Sequence, residues 1–175
     1  RNGNIVASIG MLIAILATVY FGTNLDFMMI IVAMVMGSVI GAFLAIRVEM
    51  TQMPQLVAIF NGFGGGASAL VASSEFLKTQ APNTEPSTFL IVSIVLSILI
   101  GTLTFTGSLI AFGKLQGIVT SKPVTYTGQQ ILNAILAIMM IASAWMIPTY
   151  GIKAFYIILG LSALLGILLV IPIGG

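Results

Sequence analysis

Six stretches of the chain are apolar almost without interruption: Ile5 to Phe21, Phe27 to Ile46, Leu56 to Ala72, Thr88 to Phe112, Ile131 to Ile147 and Ala154 to Ile173. Each approaches the roughly 17–25 residues that carry a helix across the hydrocarbon core of a bilayer. The charged residues all fall between or beyond these runs. None of the runs alternates apolar with polar positions as a barrel strand does, and backbone groups in lipid must find partners within their own segment. The pattern therefore predicts an all-α fold, a polytopic transmembrane helix bundle of six spans with the lipid bilayer as its solvent.

The intervening segments have turn chemistry: "GTNLD" (22–26), "SSEFLKTQAPNTEPS" (73–87), "GKLQGIVTSKPVTYTGQQ" (113–130) and "PTYG" (148–151). If each run crosses once, Arg1, Arg47, Lys114 and Lys122 share one side of the membrane, and Lys78 and Lys153 the other. That imbalance puts the first side, with both ends of the chain, in the cytoplasm. Trp145 and Tyr150 then flank the outer end of the fifth span as interface anchors. The chain opens at Arg1, with neither an initiator methionine nor a signal-peptide pattern, so a piece of a longer protein is expected.

Composition narrows the chemistry. The 175 residues are 59% hydrophobic and only 6% charged, against about 25% charged in an average soluble domain. Cysteine and histidine are both absent. Disulfides, thiolate nucleophiles and the side chain that titrates nearest pH 7 are thus excluded. Four scattered carboxylates make a poor metal or acid–base centre, so no metal site and no catalytic residue is expected. A net charge of +2, dispersed along the chain, does not point to nucleic acid. The ten methionines suit adaptable packing better than copper ligation.

The fourth span carries a pattern. Ser93, Ser97, Gly101, Thr104 and Ser108 recur every three or four residues, which at 100° per residue puts them within about 80° of one another over roughly 22 Å of helix. Leu90 lies on the same stripe. Small and hydroxyl residues line tight helix contacts, and they equally suit a narrow hydrated path. Hydroxyls can orient water and relay protons but cannot hold a charge. Asn61 and Asn133 are the only amides within the spans. Each should face protein or water, as an interhelical hydrogen bond or as the polar lining of a proton path.

Glycines mark a second pattern. Gly37 and Gly41 in the second span, and Gly62 and Gly66 in the third, have the spacing that lets helices pack closely, and Gly101 belongs with them. Gly62 to Ala67 also formally satisfies the dinucleotide fingerprint G-x-G-x-x-G/A. That motif requires a strand before it, a helix after it and a βαβ unit around it. Here it lies inside an apolar span, so the packing reading is preferred.

Three stretches together, "RVEMTQMPQLVAIFNGFGGGASALVA" (47–72), "GTLTFTGSLIAFGKLQGIVTSKP" (101–123) and the terminal "IPIGG" (171–175), resemble the membrane domain of the beta subunit of proton-translocating NAD(P) transhydrogenase. The resemblance extends, more weakly, over the whole chain. It implies a transmembrane proton-channel domain over residues 1–175, within a complex where hydride transfer from NADH to NADP+ is coupled to inward proton movement. NAD(H) would bind a soluble alpha domain and NADP(H) a soluble beta domain absent from this chain. The implied partners are alpha-subunit membrane helices and the NADP(H) domain, in a dimer of the complete complex in a bacterial inner membrane. Asn133 matches a family asparagine, and Asn61 a polar position that is often histidine.

The chain also departs from the family. Several members carry a histidine and, three residues later, a glutamate where Leu90 and Ser93 stand here. The resemblance then implies that the ionisable group comes from elsewhere, most simply a histidine on an alpha-subunit helix packed against the stripe. The proton-path candidates are Asn133, Ser93, Ser97, Thr104, Ser108 and Asn61. The alternative reading is a secondary transporter fragment whose glycine-rich third span is broken to form a substrate site.

Overall fold

The computed structural model describes residues 2–22, 26–82 and 84–174. The positions 23–25 of the first turn, 83 of the longer loop, and both terminal residues, including the Arg1 charge, lie outside the described residues. The described residues form helices and no strand: α1 Asn2–Phe21, α2 Phe27–Arg47, a 3₁₀ turn Met50–Gln52, α3 Met53–Thr79, α4 Thr88–Leu115, α5 Gln129–Trp145, α6 Ile147–Tyr150 and α7 Ile152–Val170. Five of them are long and apolar enough to cross a membrane, and α5, at 17 residues, is shorter. The fold is an all-α membrane helix bundle.

Local chemistry sets several boundaries. The Asp26 carboxylate accepts from the Met29 amide at 3.1 Å and starts α2. The Ser87 hydroxyl accepts from the Leu90 amide at 3.2 Å and starts α4. Each satisfies one of the four amides a helix N-terminus leaves without an internal partner. Pro54 stands in the first turn of α3, where its missing N–H costs nothing. Gly151, at φ 48°, makes the corner between α6 and α7 in a conformation that side chains disfavour.

Two differences from the sequence expectation bear on the site, the other helix ends lying within three residues of the expected ones. The third helix does not stop at Ala72 but runs seven residues further, so "SSEFLKT" is helical and not loop. Nothing between Ala72 and Pro82 breaks a helix, and Lys78 sits favourably in the last turn, at the negative end of the dipole. At the other difference, α5 ends at Trp145, and Ile147 to Tyr150 make a separate turn that includes the "PTY" read as loop. α3 is also unbroken through its glycines, which removes the broken helix on which the transporter alternative rested.

The chain divides into two compact units, residues 1–48 and 49–175. In the first, α1 and α2 bury no residue and are apolar on all sides, as suits helices that meet lipid. A Cβ placed on Gly37 or Gly41 meets nothing within 4 Å. Within this unit α1 does not pack against that face.

In the second unit α4 packs α3 along one face and α7 along another, and α5 packs on α7. Phe76 from α3, Ile94, Val95 and Ile98 from α4, and Phe155 and Ile158 from α7 share one core. The Phe76 and Phe155 rings stack 4.8 Å apart. In lipid, apolar burial drives helices together only weakly, so contact depends on how closely backbones approach. Glycine supplies that approach twice on α4. A Cβ on Gly101 would lie 2.6 Å from the Gly65 carbonyl oxygen, and one on Gly107 would lie 3.2 Å from that of Gly166.

Candidate functional site

The hydroxyl stripe of α4 faces α3. At one end the Asn61 side-chain amide donates to the Ser108 hydroxyl at 2.8 Å. One turn on, a Cβ on Gly65 would sit 2.8 Å from both the Gly101 carbonyl oxygen and Thr104 Cβ. A Cβ on Gly62 would lie 3.1 Å from Ser108 Cβ, and one on Gly66 3.0 Å from the Phe105 ring. Gly62, Gly66 and Gly101 thus lie in this contact, with Gly65, which the spacing rule passed over, making the closer approach of the α3 glycines.

Beyond this seam the two helices leave open space. One groove of about 530 Å³ is lined by Asn61, Gly65, Ser68, Ser97, Gly101 and Thr104 among others. A second, of about 510 Å³, is lined by Ser68, Ala72, Glu75, Ser93 and Ser97 among others. Ser68 and Ser97 border both, so the two grooves adjoin along α3 and α4. The Ser68 hydroxyl donates to the Gly64 carbonyl at 3.1 Å and that of Ser93 to Phe89 at 2.8 Å. Their lone pairs remain available to accept from water.

The stripe therefore has two environments. Gly101 and Ser108 are buried in a tight contact, whereas Ser93 and Ser97 are half-buried and border the groove, and Thr104 does both. Leu90 shares their angular position but packs against the core around Ile94 instead of lining the groove. An apolar side chain suits that environment.

Asn133 stands apart. It lies on the face of α5 that also carries Leu136, Met140 and Ser143, and Met140 accepts a hydrogen bond from Ser162 of α7 at 3.3 Å. The structure does not bring it to the groove. Its side-chain oxygen is buried with no hydrogen-bond partner among the described residues. Such an oxygen requires a donor that is not part of the described chain, a water or another side chain.

Three residues escaped the sequence reading. Ser68 and Glu75 follow Gly65 by three and ten positions, which puts them on its face of α3. Extending the third span past Ala72 would have revealed Glu75. Lys114, read as an orientation signal, is 3% exposed. Its ammonium donates to the carbonyls of Ile171 and Ile173 at 2.6 and 2.7 Å, closing the carbonyl end of α7. The glycine fingerprint 62–67 does not fit a dinucleotide. It is mid-helix, and its amides belong to the helical ladder instead of pointing out of a helix N-terminus.

A family model described as NAD(P) transhydrogenase beta subunit matches residues 1–175. Two curated relatives named NAD(P) transhydrogenase subunit beta, from Rhodospirillum rubrum and from a defined strain of that species, are each 39% identical to the chain over 180 aligned residues. The alignments cover all of this chain and 39% of each relative, so the chain spans about two fifths of the length of the proteins it matches.

Proposed function

The chain belongs to the NAD(P) transhydrogenase beta subunit family, and from that premise we propose that its helices form the proton-conducting part of a transhydrogenase. In the whole complex a hydride passes from NADH to NADP+, giving NAD+ and NADPH, in soluble domains outside this chain. A proton crosses the membrane along the α3–α4 groove as it does so. The observation that carries the reading is the groove itself, bordered in an otherwise apolar bundle by Asn61, Ser68, Thr104, Ser97 and Ser93.

These side chains accept and donate hydrogen bonds but cannot store a proton. The path therefore needs an ionisable group inside the membrane. We assign it to an alpha-subunit helix, with a histidine reaching the groove between Ser93 and Thr104. The open flank of the groove supports this, as does the apolar packing of Leu90. Asn133, with its unpaired buried oxygen, supports a second polar station at the same end of the bundle as Asn61. Coupling follows if the NADP(H) domain, working from the cytoplasm of a bacterium, biases which side of the inner membrane the path exchanges with. We place both ends of the chain on the cytoplasmic side and the complete complex as a dimer.

The test is the full alpha–beta complex in vesicles with a trapped pH dye. Ser97→Val and Asn133→Leu should each slow nucleotide-driven proton movement about tenfold, a barrier increase of about 1.4 kcal/mol. Wild-type rates in both would remove the channel assignment. A structure of the complete complex with no titratable alpha-subunit side chain near Ser93 to Thr104 would remove the histidine.

A further inference from the structure

The geometry points to Glu75 as the residue through which the α3–α4 groove exchanges protons with water at the C-terminal end of α3. This rests on the proton-path reading above and adds to it a titratable group at the mouth of the groove. The continuation of α3 to Thr79 turns Glu75 from a loop residue into one on the groove face, below Ser68 and Ala72. Among the described residues it is the only titratable side chain lining either part of the groove. It borders the same space as Ser93 and Ser97, fourteen residues from Asn61, or roughly 21 Å along the helix. The Asn61–Ser108 hydrogen bond and the Glu75 carboxylate thus mark the two ends of one polar track.

A relay of hydroxyls and water needs a group at its mouth that captures a proton from solution and releases it inward. Glu75 has the exposure for this, since its side chain is 42% accessible while it also borders the groove. Its ionic partner is Lys78, at 2.9 Å and one helical turn away, itself 70% exposed. A pair so wetted is weak and leaves the carboxylate free to change partner. From α4, the helix packed against it, only Ser93, Ile94 and Ser97 face the same space, and none is charged. In the step proposed, an acid in bulk water gives its proton to a Glu75 carboxylate oxygen. The resulting O–H then donates that proton to a groove water that Ser93 and Ser97 hold by their lone pairs, and the carboxylate is regenerated.

The experiment compares Glu75→Gln, Glu75→Asp, Lys78→Ala and Ser97→Val in the complete reconstituted complex, reading proton movement across a pH series together with the KM for each nucleotide. We expect Glu75→Gln to slow proton movement about tenfold or more and to flatten its pH profile. Glu75→Asp should stay within about threefold and Lys78→Ala within about twofold of wild type, with KM values unchanged. If Ser97→Val slows the proton and Glu75→Gln does not, the groove conducts without Glu75 and this assignment falls alone. If neither slows it, the groove reading falls as well. An equal loss in Lys78→Ala and Glu75→Gln, with the pH profile unchanged in shape, would make the pair structural and overturn the proposal.

Discussion

α4 meets α3 and α7 by the same device, a glycine against a glycine, yet the two contacts differ in what they leave beside the seam. Against α3, Gly101 approaches the backbone at Gly65 and Ala69, and polar-edged space opens on its flank. Against α7, Gly107 meets Gly166, and the polar groups nearby are turned inward. Thr106 donates to the carbonyls of Thr102 and Leu103, and the fully buried Ser162 to that of Ile158. Glycine contact alone therefore does not make a polar-edged groove. What distinguishes the α3 side is that its hydroxyls continue past the seam, at Ser97 and Ser93, to where the helices part.

The largest effect expected from breaking this comparison comes from the same small substitution on the two seams. In Gly101→Ala the new methyl would lie 2.6 and 2.8 Å from backbone atoms of Gly65 and Ala69, which cannot rotate away. The helices must separate, at a cost of about 2–3 kcal/mol, and the groove loses its floor. Thermal unfolding of the purified complex should show the loss, and proton movement should fall with it. Unchanged stability would mean that α3 and α4 are not held this closely.

Gly107→Ala should matter less. Its methyl would meet the end of the Val170 side chain at 3.1 Å and the Gly166 oxygen at 3.2 Å. A shift of a few tenths of an ångström relieves both, and alanine regains up to about 1 kcal/mol of helix propensity over glycine. The net change should lie within about 1 kcal/mol in the same unfolding measurement. A loss equal to that of Gly101→Ala would show that both seams are equally rigid and that the comparison fails at the level of packing.

How far this arrangement was legible in the sequence depends on the kind of signal. The six apolar runs and the stripe from Ser93 to Ser108 follow from periodicity, and the structure turns that stripe toward α3. Spacing alone did not locate the neighbours. Gly62 and Gly66 match the close-packing rule, yet Gly65 makes the nearer approach, because the crossing point depends on the facing helix and not on α3 alone. Gly37 and Gly41 match the rule too and meet nothing within 4 Å. Glu75 was hidden by a boundary set where hydrophobicity fell, although helical backbone continues into the more polar end of a span. Lys114 looked like a free charge because its partners, carbonyls nearly 60 positions away, have no sequence signature.

The smallest expected change is the sharpest test of whether the two faces differ in function. Thr106 is nine residues from Ser97, which puts it on the opposite side of α4 at 100° per residue. Its hydroxyl is already committed to carbonyls of its own helix, so Thr106→Val removes a local hydrogen bond and keeps the shape. Stability should change by no more than about 0.5 kcal/mol, and proton movement by less than about twofold. Ser97→Val makes a similar replacement of hydroxyl by methyl groups but sets them at the edge of the groove, where water would lose a partner. Measured side by side in the same vesicles, the two variants should separate clearly. If Thr106→Val slows the proton as much as Ser97→Val, the hydroxyls of α4 act through packing, and the α3 face has no special claim on the proton.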